Sequence, residues 1–197
     1  ASDVYKRQLY TWNQKNDLKL ILDRNSSPDG YQVSSVGQIN FSEDETKLYF
    51  GLALPEIYQD TLLLKDEIVD VEVWTYDEPR LYTIQEMQLN NDRKKSFKSV
   101  YHINDEKVIQ IATREFPNSI TSISGNNKYA LVSNPEPYQL SSQWTALFSK
   151  NDLAVKNINN GDSKIIIKAN PSSARLSPSG NYAYGYNQVD STWYTYN

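Results

Sequence analysis

Three stretches of this chain repeat one local pattern, and that pattern does most to limit what it can fold into. Ile39-Asn40-Phe41-Ser42 passes through Glu43-Asp44-Glu45-Thr46 into Lys47-Leu48-Tyr49-Phe50. Thr121-Ser122-Ile123-Ser124 passes through Gly125-Asn126-Asn127 into Lys128-Tyr129-Ala130-Leu131. Ala174-Arg175-Leu176-Ser177 passes through Pro178-Ser179-Gly180-Asn181 into Tyr182-Ala183-Tyr184. Each joins an apolar residue and a Ser to a tight polar turn and then to an alternating strand. Ser and Asn side chains close such turns locally, and Gly supplies positive φ where it is required. Each stretch therefore predicts an inner β-hairpin.

A second hairpin follows each of the first two and also precedes the first. These outer hairpins span residues 9–22, 99–111 and 153–167, each a strand, a polar turn and a strand. Inner plus outer hairpin makes four antiparallel strands, the unit of a β-propeller blade. The expected fold is all-β, a partial β-propeller of two full and two partial blades, occupying residues 1–197 as a single domain. Residues 191–197 read as a third strand lacking its fourth. Because propellers close with about four to eight blades, the chain is expected to be a fragment rather than a three-bladed ring. The interval from Phe41 to Ile123 is 82 residues and that from Ile123 to Leu176 is 53. A blade takes about 40–50 residues, so the longer interval predicts an insertion, placed at residues 76–97 (YDEPRLYTIQEMQLNNDRKKSF) with a short helix over Tyr82 to Leu89.

Composition agrees with strands and excludes much chemistry. Fifteen Tyr, 4 Trp and 5 Phe accompany many Ile, Val and Thr, residues that fit a pleated, half-buried surface. With no Cys and one His, thiolate zinc sites, iron–sulfur clusters, thiol nucleophiles and multi-His metal centres are excluded. A net charge of −4 from 20 basic and 24 acidic residues argues against nucleic acid as a partner, which requires a basic footprint. The longest apolar runs, such as Thr61-Leu62-Leu63-Leu64, are only a few residues, so no membrane span is expected. No cofactor is predicted, and composition leaves the compartment open.

The stretch Val69-Asp70-Val71-Glu72-Val73-Trp74-Thr75-Tyr76-Asp77-Glu78-Pro79-Arg80-Leu81-Tyr82-Thr83-Ile84-Gln85 resembles a segment of the propeller domain in prolyl-oligopeptidase-type serine peptidases, particularly bacterial dipeptidyl-peptidase- and acylaminoacyl-peptidase-like members. In that family an Asp-x-x-x-Trp strand leads into an acidic residue, Pro-Arg-Leu and a Gln-containing stretch. This sequence departs from the pattern at Thr75 and Tyr82. The resemblance implies that the propeller sits over an α/β-hydrolase domain, gates access to it and helps to bind peptide substrate. It also implies a bacterial protein of periplasm or cytoplasm. A triad needs a Gly-x-Ser-x-Gly elbow and a neighbouring His. The sequence has no such elbow, and its only histidine, His102, falls mid-strand, where a packing or surface role is expected. Hydrolysis by this chain is therefore not expected, and its partners would be the hydrolase domain of the parent protein and the peptide. The alternative is a stand-alone propeller-like module that binds protein or glycan.

Trp74, Arg80 and Tyr82 are the candidate partner or substrate contacts. The Arg80 guanidinium is suited to a carboxylate, although a local pair with Asp77 or Glu78 competes for it. The acidic groups Glu43-Asp44-Glu45 and Asp60/Asp66/Glu67/Asp70 lack the spacing of a calcium loop and read as solvated turns. Arg93-Lys94-Lys95 with Lys98 reads as a solvated loop tip. Tyr138, Trp144, Tyr184, Tyr186 and Trp193 are expected chiefly to fill the space between sheets, with a binding surface as the other reading. A chain of partial blades also exposes strand edges, which predicts self-association.

Overall fold

The serine turns are built alike. The computed structural model describes residues 7–13, 16–28, 30–56, 64, 71, 73, 75–145 and 149–197. In it the carbonyls of Ser42, Ser122 and Ser177 accept from the backbone N–H three residues on, at 2.9, 3.2 and 2.8 Å. That third residue has positive φ every time: 54° at Glu45, 69° at Gly125 and 70° at Gly180. Glycine takes this conformation without cost, whereas Glu45 takes it against the steric preference of an L-residue.

Each turn joins two strands within one of a series of antiparallel sheets. The first pairs β1 (Leu9–Asn13) with β2 (Asn16–Leu22). In the second, β5 (Lys47–Ala53) carries β3 (Gln32–Val33) and β4 (Asn40–Phe41) on one side and β6 (Phe97–His102) on the other, followed by β7 (Lys107–Gln110). The innermost strand of this sheet is thus split in two. The third sheet runs β8 (Asn118–Ile120), β9 (Tyr129–Asn134), β10 (Asn151–Asn157), β11 (Ser163–Asn170), and the fourth β12 (Ala174–Leu176), β13 (Ala183–Asn187), β14 (Thr192–Tyr196). Every sheet is an up-and-down meander that ends before the next begins, which is blade topology in a partial β-propeller.

The sheets pack face to face. Strand alternation sends Leu48, Phe50 and Leu52 towards Leu9 and Leu22 of the first sheet, while Tyr49 and Val100 meet Ala130, Val132 and Ala154 of the third. Leu131 and Leu153, of opposite parity, meet Ala174 and Ala183 of the fourth. The whole of β5 is buried because neighbours cover both its faces. Each large apolar side chain so enclosed contributes about 1.5–3 kcal/mol. Turns from neighbouring sheets are also tied edge to edge. Glu43 N–H donates to Ser124 O at 2.8 Å, Lys47 Nζ to Asn126 O at 3.2 Å and Asn127 Nδ2 to Pro178 O at 3.4 Å.

Two helices interrupt the strands at equivalent places. α1 (Tyr82–Arg93) lies between β5 and β6, and α2 (Glu136–Thr145) between β9 and β10. Both connections leave the end of the sheets opposite the serine turns. Gln143 Nε2 of α2 donates to the carbonyl of Pro79, just ahead of α1, at 2.8 Å. α1 runs one turn past the expected Leu89, and the insertion ends as β6 begins at Phe97. α2 has no counterpart among the elements expected from the sequence. The Asn134 side chain accepts from Glu136 N–H at 2.9 Å, and Pro137 in the first turn has no N–H that needs a partner. Among the described residues no helix is long and apolar enough to cross a membrane.

The aromatic expectation is corrected at two positions. Trp144 on α2 and Trp193 on β14 are 77% and 75% exposed. In β13 the small residues Ala183 and Gly185 take the buried face, so Tyr184 and Tyr186 fall on the other. There Tyr186 meets Trp193 with ring centroids 5.2 Å apart. Tyr138 is half-buried and donates to Asp152 Oδ1 at 2.6 Å.

Candidate functional site

A cavity of about 510 Å³ opens between the second and third sheets beside their innermost strands. Its rim is apolar and exposed: Val36 from the break between β3 and β4, Phe41 of β4 at 60% and Ile123 from the second serine turn, fully exposed. Its interior is polar, lined by Asn40, Ser96, Lys98, Thr121 and Ser122. Asp and Glu are absent from the lining.

Two glycines let the backbone close tightly on the floor of this cavity. Gly51 of β5 and Gly37 pass so close that a Cβ on Gly51 would lie 2.8 Å from the Gly37 Cα and 2.0 Å from Ser96 Oγ. Any larger residue there would fill the floor and push the strands apart. Lys98 pairs with Gly51 across β5 and β6, shares a face with Val100 and lines the cavity. Its Nζ donates to Thr121 Oγ1 of the facing sheet at 3.2 Å. Burial alone pushes the Lys98 amine below the ordinary lysine range, with no carboxylate acting to restore it.

Tyr49 closes one side. Its hydroxyl donates to the Gly125 carbonyl at 2.7 Å, and its pKa is pushed up to about 12, first by burial and then by the Asp44 carboxylate. Asp44 is held down to about 2 by hydrogen bonds from the Ser42 hydroxyl and then from the amide and hydroxyl of Thr46. Its carboxylate therefore holds the turn together rather than facing outward as a free ligand.

The residues singled out in the sequence lie elsewhere. Arg80 donates through one nitrogen to Gln88 Oε1 and through the other to Asp92 Oδ2, both at 2.6 Å. It spans α1 and does not pair with Asp77 or Glu78. Tyr82 is half-buried as the first residue of α1. Trp74 and the acidic residues Asp60, Asp66, Glu67 and Asp70 lie outside the described residues. Within the described set the fold does not bring Arg80 or Tyr82 to the cavity. His102 is buried, and its Nε2–H donates to the Ile158 carbonyl at 2.7 Å, a tie between two outer turns. Among the described residues no group of three His, Cys, Asp or Glu could hold a metal ion.

Lys98 was grouped in the sequence with the basic run that ends α1, and the structure separates it. Arg93 closes the helix, Lys94 caps it and Lys95 lies 5.8 Å from the Phe97 ring centre, whereas Lys98 sits inside β6. Its alternation with Val100 is the one signal that could have identified it.

No protein-family model matches the chain, and no curated protein does. Among solved structures, TolB from Acinetobacter baumannii is similar at 16% identity and a TM-score of 0.28, over 93% of this chain and 46% of that one. The chain thus spans about half the length of that protein.

Proposed function

We propose that this chain is the non-catalytic, protein-binding part of a β-propeller, taking an extended peptide segment along the innermost strands into the groove between its second and third sheets. The observation that carries this reading is the pairing of an exposed apolar rim, Val36, Phe41 and Ile123, with a polar interior. Apolar anchors with a few placed polar groups are what peptide grooves supply. The test is selection of displayed random heptapeptides on the immobilised chain. Peptides that bind the wild type and lose binding to Phe41→Asp and Ile123→Asp support the reading. Failure to enrich any peptide, or enrichment indifferent to both substitutions, overturns it. Both side chains are exposed, so folding should tolerate the changes.

A finer reading follows the resemblance to prolyl-oligopeptidase-type peptidases. In it the groove-bearing propeller gates a hydrolase domain of the parent protein and helps to present peptide to it. The residues that support it are Glu78, Pro79, Arg80, Leu81 and Gln85, which stand at the helix-bearing end of the sheets, with Gln85 Nε2 donating to the Arg80 carbonyl at 2.8 Å. The reading frame of the parent gene tests it. A Gly-x-Ser-x-Gly element beyond further blades is expected, and a frame without one removes the peptidase. The isolated chain should release no chromophore from X-Pro or acylated amino-acid substrates.

A further inference from the structure

We infer that the Lys98 cavity is a carboxylate-binding subsite, so that the bound peptide carries an acidic group beside an aliphatic or aromatic residue. The inference rests on the peptide-binding reading above and names the chemistry of the ligand.

Three observations lead to it. The Lys98 ammonium has three N–H donors, of which Thr121 Oγ1 takes one. The Thr121 hydroxyl, accepting from Lys98, keeps its own proton to donate. Two N–H groups and one O–H thus remain on residues that line the cavity, while its lining offers no carboxylate to neutralise the charge. A half-buried cation without a counter-ion is costly, and an incoming carboxylate removes that cost while accepting charge-assisted hydrogen bonds.

Geometry sets the rest of the ligand. Phe41, Val36 and Ile123 stand at the mouth, so a ligand whose carboxylate reaches Lys98 places its neighbouring groups against apolar surface. Gly37 and Gly51 line the floor, where their backbones pack against each other. Gln38 and Asn40 add amide groups that suit a peptide backbone. The chain as a whole carries a charge of −4, and general attraction between an acidic peptide and this protein is therefore unfavourable. Preference for an acidic peptide must come from a local cation.

Heptapeptide selection on the wild-type chain supplies the probes. The selected peptides should contain Asp or Glu next to an apolar residue. Changing that residue to Asn or Gln should weaken binding about 10-fold or more, the usual scale for a charge-assisted hydrogen bond. On Lys98→Met the acidic peptide and its amide counterpart should bind equally. Lys98→Arg should restore part of the preference, and Thr121→Val, which leaves the cation in place, should reduce it by a smaller factor. Thermal unfolding of each variant establishes that it folds. Selected peptides without an acidic residue, or an acid-over-amide preference that survives Lys98→Met in a folded protein, overturn the carboxylate subsite and leave the peptide-binding reading standing. If the wild type selects no peptide, both fail together.

Discussion

Replacing Tyr49 by Phe removes a single hydroxyl from the seam between the second and third sheets and keeps the ring that packs there. In the wild type that hydroxyl donates to the Gly125 carbonyl at 2.7 Å, within a buried turn. Without it a buried carbonyl loses its donor, at a cost of about 1–3 kcal/mol. For a chain of this length each kcal/mol moves the melting temperature by about 2–4 °C, so Tyr49→Phe should melt about 2–12 °C lower near neutral pH. The pH dependence adds a sharper test. An unfolded Tyr ionises near pH ~10, whereas folded Tyr49 keeps its proton to about 12. Its folded pKa is raised, so its stabilisation is complete below pH ~10 and is lost as pH rises towards about 12, at about 1.4 kcal/mol per unit. Phe has no such dependence. The gap between the two proteins should therefore be largest below pH ~10, narrow above it and close before pH ~12. Circular dichroism melts of both proteins across this range measure the gap directly. An unchanged melting temperature at neutral pH, or a gap that stays constant above pH ~10, would refute the assignment of Tyr49 as the tie between the turns.

Gly51→Ala should destabilise the protein by about 1–3 kcal/mol, because its Cβ would meet the Gly37 backbone at 2.8 Å. Adding Ser96→Ala should not restore it, since the backbone clash remains; chemical denaturation of single and double variants is the assay. Glu45→Gly should raise the melting temperature, by relief of up to about 1 kcal/mol at a φ of 54°, and a loss of stability would show that the Glu45 side chain contributes more than its strain costs. Asp44 has a folded pKa of about 2, below the ordinary carboxylate value. Its contribution is therefore present above pH ~4 and lost as pH falls through about 2. Asp44→Asn should accordingly lower stability near neutral pH and flatten the acid limb of the melting curve, and an unaltered acid limb would exclude Asp44 as its source.

The hairpins were legible in the sequence because their causes are local. A Ser followed three residues later by Gly, or by Glu45 in the strained variant, closes a turn through contacts within six residues, and period-two alternation on either side identifies the strands. The same rules gave the outer hairpins at 9–22, 99–111 and 153–167, each found as a strand pair. The second helix was not legible. Asn134-Pro135-Glu136-Pro137 reads as a loop, and Ser141-Ser142 weakens the helical pattern. Only the cap from Asn134 and the contact of Gln143 with Pro79 show what favours it.

The sequence by itself therefore determined most of the strands, though neither β3 nor the start of β8 ahead of Thr121, together with their grouping into successive meanders and the absence of a nucleophile elbow. These depend on turn chemistry, alternation and residue identity, which operate within a dozen residues. The tertiary structure alone decided which face of each strand meets which neighbour, and hence the functional reading. Lys98 is one more basic residue in a charged stretch until the second sheet lies against the third and a cavity opens beside it. Arg80 shows no settled partner in the local sequence until Gln88 and Asp92 engage its guanidinium across α1. Burial and pairing are properties of surfaces that residues far apart in the chain build together, and no local pattern encodes which of those surfaces remains open.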